Sequence, residues 1–469
     1  MERREFIQSL VASGVAVSLF PNLVFGQKVN DPWLTDYPQI LARIKPPKFK
    51  KKDYLITKFG AVGDGKTMNT QAIKKAIAEC NKKGGGRVIV PKGDFLTGAI
   101  HLKSNVNLHL LEGAILKFSI DAKDYLPLVF TRWEGMELMH ISPLIYAFEQ
   151  TNIGITGKGT LDGQGKAGFW KWHGSPRFGG DPAVKAQRPD RDKLYDMMTR
   201  NVPVAERVFG ENSWLRPQFI QPYKCKNVLI EGVKIIDSPM WEVHPVLCEN
   251  VTVRGLTIIT HGPNNDGCNP ESSKDVLIEN CYFDTGDDCI AIKSGRNNDG
   301  RRVGVASENI IVRNCNFKDG HGGITVGSEC SGGFRNLFAE NNKLDSPDLW
   351  TALRIKNNAS RGGKIENLYF RNITVGKVSR SAIEMDFNYE EGAKGEYTPI
   401  VRNFVVENLV AQDCNKAVDL QGLDKAPLYD IVFKNCDFGK VTGGNIVKNV
   451  NNLKLENVKM NGKVVDKLV

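Results

Sequence analysis

From residue 152 onward the chain keeps returning to one phrase: an Asn or Asp, then alternating apolar residues, then a Gly or Asn five positions after the first. The phrase occurs ten times, as NIGITG at 152, NVLIEG at 227, NVTVRG at 250, DVLIEN at 275, NIIVRN at 309, NLFAEN at 336, NLYFRN at 367, NFVVEN at 403, DIVFKN at 430 and NLKLEN at 452. From 227 on, successive starts lie 22 to 36 residues apart, the period of a solenoid whose units bury their apolar faces only against one another. The alternation within each phrase is that of a strand with one buried face. Gly and Asn exchange at the fifth position because they most readily take positive φ, as a sharp left-handed turn requires. Stacked turns would then set the Asn amides in a ladder. Unrelated Asn-Gly turns in a sandwich would not hold one offset ten times. The expected fold class is all-β, a right-handed parallel β-helix.

Such a solenoid exposes strand edges and a raw core at its end. The amphipathic stretch from Asn69 to Lys83, closed by Gly84, Gly85 and Gly86, supplies an N-terminal capping helix. A single domain over 53–469 is expected, with a loop insertion at about 163–222 where FWKWHGSPRFGGD breaks the rhythm; insertions in a solenoid collect on one face, often the binding face.

The first 26 residues carry Arg3 and Arg4, then after Glu5 no charge until Lys28, with apolar residues dense only from Leu10 to Phe20. This reads as a signal peptide, of twin-arginine or general secretory type, because the apolar stretch is too short to span a bilayer. Export to the periplasm or outside the cell is expected, with no membrane span in the mature protein and a linker at 27–52. Ten cysteines would permit disulfides, but Cys281, Cys315 and Cys436 end equivalent phrases and can stack as small apolar groups, so no bridge is assigned. No Cys or His spacing suits zinc. The net charge of +10 favours an anionic partner. No basic run interleaves with aromatics, so nucleic acid is not expected, and acidic polysaccharide fits better. A monomer is the expected state.

Where a repeat is this regular, departures from it point to a site. HGPNNDGCNP at 261, DTGDDCIAIKSG at 284 and DGHGGITVGSE at 319 fall in consecutive coils, and TALRIKNNAS at 351 follows one coil later. Asp266 lies 16 residues after Asn250, Asp287 lies 12 after Asp275, and His321 lies 12 after Asn309. With coils about 4.8 Å apart, three carboxylates, one imidazole, Arg354 and Lys356 would line one groove. Singly, each motif reads more readily as a solvated turn or a structural ion pair than as a site; their shared register is what points to chemistry.

NND at 264–266, GDD at 286–288, GHG at 320–322 and RIK at 354–356, in this order, resemble the signature of glycoside hydrolase family 28, the polygalacturonase family. Asn265 and Gly286 depart from the common fungal endo-acting pattern and are similar to the bacterial, exo-acting side of the family. The resemblance implies inverting hydrolysis of α-1,4-linked galacturonic acid with no cofactor and no metal. It makes Asp287 the general acid, Asp266 and Asp288 the groups that hold and deprotonate water, and His321 an orienting residue. Arg354 and Lys356 would bind a galacturonate carboxylate, and Asn264 belongs to the same site. The chemistry agrees, since glycoside hydrolysis needs one protonated and one ionised carboxyl group, and clustered carboxylates push their pKa values apart.

The insertion at 163–222, the segment SPMWEVHP at 238–245 and DFNYEEGAKGEYTP at 386–399 would wall off one end of the groove and favour exo action, with Trp241 and His244 touching sugar. Three alternatives stay open: a rhamnogalacturonan hydrolase of the same family, a calcium-dependent lyase on the same solenoid with the aspartates as metal ligands, and a β-helix that only binds polysaccharide.

Overall fold

The computed structural model describes residues 31–468 apart from 182, 184, 185 and 211. The expected signal peptide, 1–26, lies outside the described residues. The chain divides into two units, Met1–Gln39 and Ile40–Val469. The first is described only from the start of a helix, Pro32–Arg43; the second contains the site.

In the second unit the ten phrases form ten strands that pair parallel and in register, from Thr151–Gly157 through Lys226–Glu231 to Val450–Glu456. Register stacks like on like: Val228, Val251, Val276, Ile310, Leu337 and Leu368 form one fully inward column. A second face is a sheet of six parallel strands: Ile290–Ile292, Gly320–Val326, Leu349–Lys356, Ser381–Asp386, Lys416–Gln421 and Ile446–Lys448. The fold is a right-handed parallel β-helix. The helix Thr70–Lys82 turns Ala72, Ile73, Ala76, Ile77 and Cys80 into the core at its end.

Both ends of each phrase take the left-handed conformation. The fifth-position residues do so as expected (Gly232 φ 78°, Asn314 φ 55°), and so do the first-position ones (Asn250 φ 57°, Asn336 φ 64°). The stronger ladder is the first: Asn227 donates to Asn152 at 2.8 Å, Asn250 to Asn227 at 2.7 Å, Asn336 to Asn309 at 2.9 Å and Asn403 to Asn367 at 2.8 Å. Asp275 occupies one rung and has no amide to donate. The gap is filled from upstream: the Lys45 N–H donates to Asn250 Oδ1 at 2.8 Å, and Arg43 pairs with Asp275 at 3.0 Å. The segment 27–52, expected as a linker, thus contains the helix Pro32–Arg43 and, after it, residues that complete the ladder.

All ten cysteines are buried free thiols. Among the described residues no helix is long and apolar enough to cross a membrane.

Candidate active site

Main-chain hydrogen bonds between rungs bring the four motifs together. The Glu242 N–H donates to the Asp266 carbonyl at 2.9 Å, that of Gly267 to Asp288 at 3.0 Å, and that of Cys289 to Gly322 at 2.8 Å; Gly322 then pairs with Thr351 and Thr325 with Arg354. Gly322 is needed at its place because a Cβ there would lie 2.8 Å from Asp288 Oδ1 and 2.2 Å from Thr325 Oγ1.

A pocket of about 410 Å³ is lined by Trp241, Asn264, Asp266, Asp287, Asp288, Lys293, Lys356 and Glu329, together with Glu134, Arg191, Arg296, Tyr389 and Glu390. The Asp287 side chain is 20% exposed, against 4% for Asp266 and 1% for Asp288. Only Asp287 of the three opens to the groove. Its Oδ1 meets His321 Nδ1 at 2.9 Å. Asp288 Oδ2 accepts from Lys356 Nζ at 2.5 Å, with Arg354 NH1 3.6 Å from Oδ1. That Oδ1 is buried and takes no hydrogen bond from the protein. Asp266 Oδ2 accepts from Asn269 at 2.9 Å and lies 3.6 Å from Lys293 Nζ.

Burial pushes the Asp266 carboxyl up, the Asp287 charge adds to this, and Lys293 offsets only part, so Asp266 stands well above the usual carboxylate range. Burial also pushes Asp287 up, but the hydrogen bond and charge of His321, with Lys356 and Lys293, outweigh it and hold Asp287 low. Of the two, Asp266 therefore holds a proton more tightly in the protein by itself. Burial would lower Lys293 and Lys356, yet the surrounding carboxylates outweigh it, and both stay firmly protonated.

Two expectations change here. His244 does not reach the pocket: it is fully buried, its Nε2 2.7 Å from Glu271 and its Nδ1 3.0 Å from Gln221 Nε2. It belongs to a buried polar network with Arg132 and Glu137 behind Trp241. Trp241 does line the pocket, but the Lys293 ammonium lies 4.4 Å from its ring centroid, so that face is covered. Asn264 lines the pocket with its Oδ1 held by Arg216 at 2.6 Å.

The sequence reading missed Lys293, Glu329, Arg296 and Glu134. Lys293 ends an apolar strand in AIKSG, the one signal available; the others join through ion pairs, Lys293 to Glu329 at 2.9 Å and Arg296 to Glu329 at 2.8 Å. Each of the three segments expected to wall the groove contributes a residue to the pocket: Arg191, Trp241 and Glu390. His261, Asp284 and Asp319 bring ligand atoms within 4.8 Å of one another, with His261 Nε2 3.0 Å from Asp284 Oδ1.

Residues 209–461 match the model of glycosyl hydrolases family 28. The chain belongs to glycosyl hydrolase family 28. Residues 55–109 match a second model, rhamnogalacturonase A/epimerase, pectate lyase-like. Relatives include a probable polygalacturonase of Vitis vinifera, 30% identical over 80% of this chain and 72% of that protein. An exo-poly-alpha-D-galacturonosidase of Dickeya chrysanthemi is 29% identical over 82% and 67%. Among solved structures, a hyperthermoactive exopolygalacturonase from Thermotoga maritima is 46% identical, with a TM-score of 0.89 over 92% of this chain and 97% of that one.

Proposed function

We propose that this protein is an exo-acting polygalacturonase that removes terminal galacturonic acid residues from pectic chains with inversion of configuration, acting after export. The observation that carries the reading is Asp287, the most exposed of the three aspartates, in a pocket that Glu134, Arg191, Arg296 and Glu390 also line. Asp287 gives its proton to the glycosidic oxygen. Asp266 and Asp288 orient the attacking water and take its proton, and Arg354 and Lys356 receive the sugar carboxylate, the guanidinium fork suiting a carboxylate.

For this the proton must be on Asp287, although the protein by itself favours Asp266. The substrate supplies the shift. A galacturonate carboxylate docked on Lys356 and Arg354 cancels part of the positive charge that holds Asp287 low, raising its proton affinity as the leaving group arrives. A lyase mechanism fits poorly, because Lys293, Lys356 and Arg354 already stand against the aspartates where a dication would sit, and a protonated lysine cannot serve as base.

Products released over time from defined galacturonide oligomers test the proposal. Monomer from the first time point is expected, with no unsaturated sugar. A spread of oligomers would overturn exo action, an unsaturated product would overturn hydrolysis, and turnover only of rhamnogalacturonan would overturn the substrate.

A further inference from the structure

A second pocket of about 660 Å³ is lined by Arg177, His261, Asp319, His321 and Trp350 among others. A partly exposed Trp in a carbohydrate groove is usually taken for a platform on which a sugar ring stacks. Trp350 has no face left for that. The His321 imidazole lies on its ring at 3.7 Å between centroids and an interplanar angle of 19°. The Arg380 guanidinium carbon lies 3.6 Å from the ring centroid. Two groups that close to one ring cannot share a face, so they sandwich it.

The register of the solenoid builds the sandwich. Gly320 pairs with Leu349, Gly322 with Thr351, and Thr351 with Ser381, so His321, Trp350 and Arg380 occupy the same position on three consecutive rungs. Rungs about 4.8 Å apart need only a slight lean to bring flat groups into contact. The stack ends on the reacting group, since His321 Nδ1 lies 2.9 Å from Asp287 Oδ1.

We propose that Trp350 is a positioning residue and not a sugar platform: it braces the His321 imidazole in line with Asp287, and Arg380 closes its far face. Without the brace His321 turns away and Asp287 loses the partner that aims it. This rests on the catalytic part given above to Asp287.

The test measures kcat and KM of Trp350→Leu and Trp350→Phe on trigalacturonic acid. A misaligned catalytic group costs up to about 100-fold, so kcat of Trp350→Leu should fall about 10- to 100-fold with KM within about threefold, and Trp350→Phe, which keeps a flat face, should recover most of it. A rise in KM with kcat unchanged would make Trp350 a platform and overturn the proposal. Proton NMR provides a readout independent of turnover. The His321 ring protons, assigned by their loss in His321→Gln, should be shifted upfield by the Trp350 ring current in the wild-type protein, and an ordinary His321 shift would overturn the stack. A wild-type protein inert on every galacturonide would refute the proposed function, and the NMR result would still decide the stack.

Discussion

Lys356 Nζ lies 2.5 Å from Asp288 Oδ2, although 68 residues separate the two in the sequence. Both are buried, so each is the other's main compensation for leaving water. Lys356→Met removes that partner and the seat of the sugar carboxylate together. A fall in kcat/KM of about 100-fold is expected, the scale of losing one member of a buried charge pair; an unchanged kcat/KM would refute the pairing's role.

Asp287→Asn keeps the shape of the side chain and removes its proton. Turnover of trigalacturonic acid should drop more than about 100-fold, the usual worth of a general acid, while calorimetry still detects binding. A variant retaining a tenth of the wild-type kcat would exclude Asp287 as the acid.

If a bound carboxylate raises the proton affinity of Asp287, the effect has a definite sign. The acid works only when protonated, so its ionisation sets the alkaline limb of the pH profile. The limb of kcat, which reports the complex, should lie at higher pH than that of kcat/KM, which reports the free protein. Coincident limbs would mean the substrate moves no proton to Asp287.

His244→Ala separates structure from binding. Because His244 is buried against Glu271 and Gln221, the substitution leaves partners unsatisfied and should cost about 3 kcal/mol of stability, read as a lower urea midpoint. KM of the folded fraction should not move; a raised KM would restore His244 to the substrate.

The Asn ladder is tested at Asn336, which donates to Asn309 and accepts from Asn367 at φ 64°. Asn336→Gly loses two hydrogen bonds at about 1 kcal/mol each. Asn336→Ala adds about 1–2 kcal/mol for a Cβ in the left-handed region. Equal urea midpoints for the two variants would refute the conformational part.

Much of this molecule could be read in the chain because a parallel solenoid turns sequence offset into spatial position. The phrase located the strands, and the offsets from Asn250, Asp275 and Asn309 were enough to group Asp266, Asp287 and His321. What escaped was whatever the register does not dictate. The left-handed start of each phrase was hidden because Asn there reads equally well as an ordinary strand flank. Lys293, Glu329 and Arg296 meet through side-chain reach across rungs, and Glu134 enters from the hairpin Val129–His140, outside the repeat. His244 was read with Trp241 because both lie in the segment expected to wall the groove, but the imidazole turns instead to Glu271.

The stacking of one rung on the next also limits how such a chain can lengthen. A whole coil duplicated beyond Gln421, past the last residue of the pocket, adds a rung and leaves every catalytic distance as it was. The same duplication between Asp288 and Lys356 would part those two by a further coil, about 4.8 Å, beyond the reach of any hydrogen bond. Growth by duplication is therefore open to one end of this protein and closed to its middle.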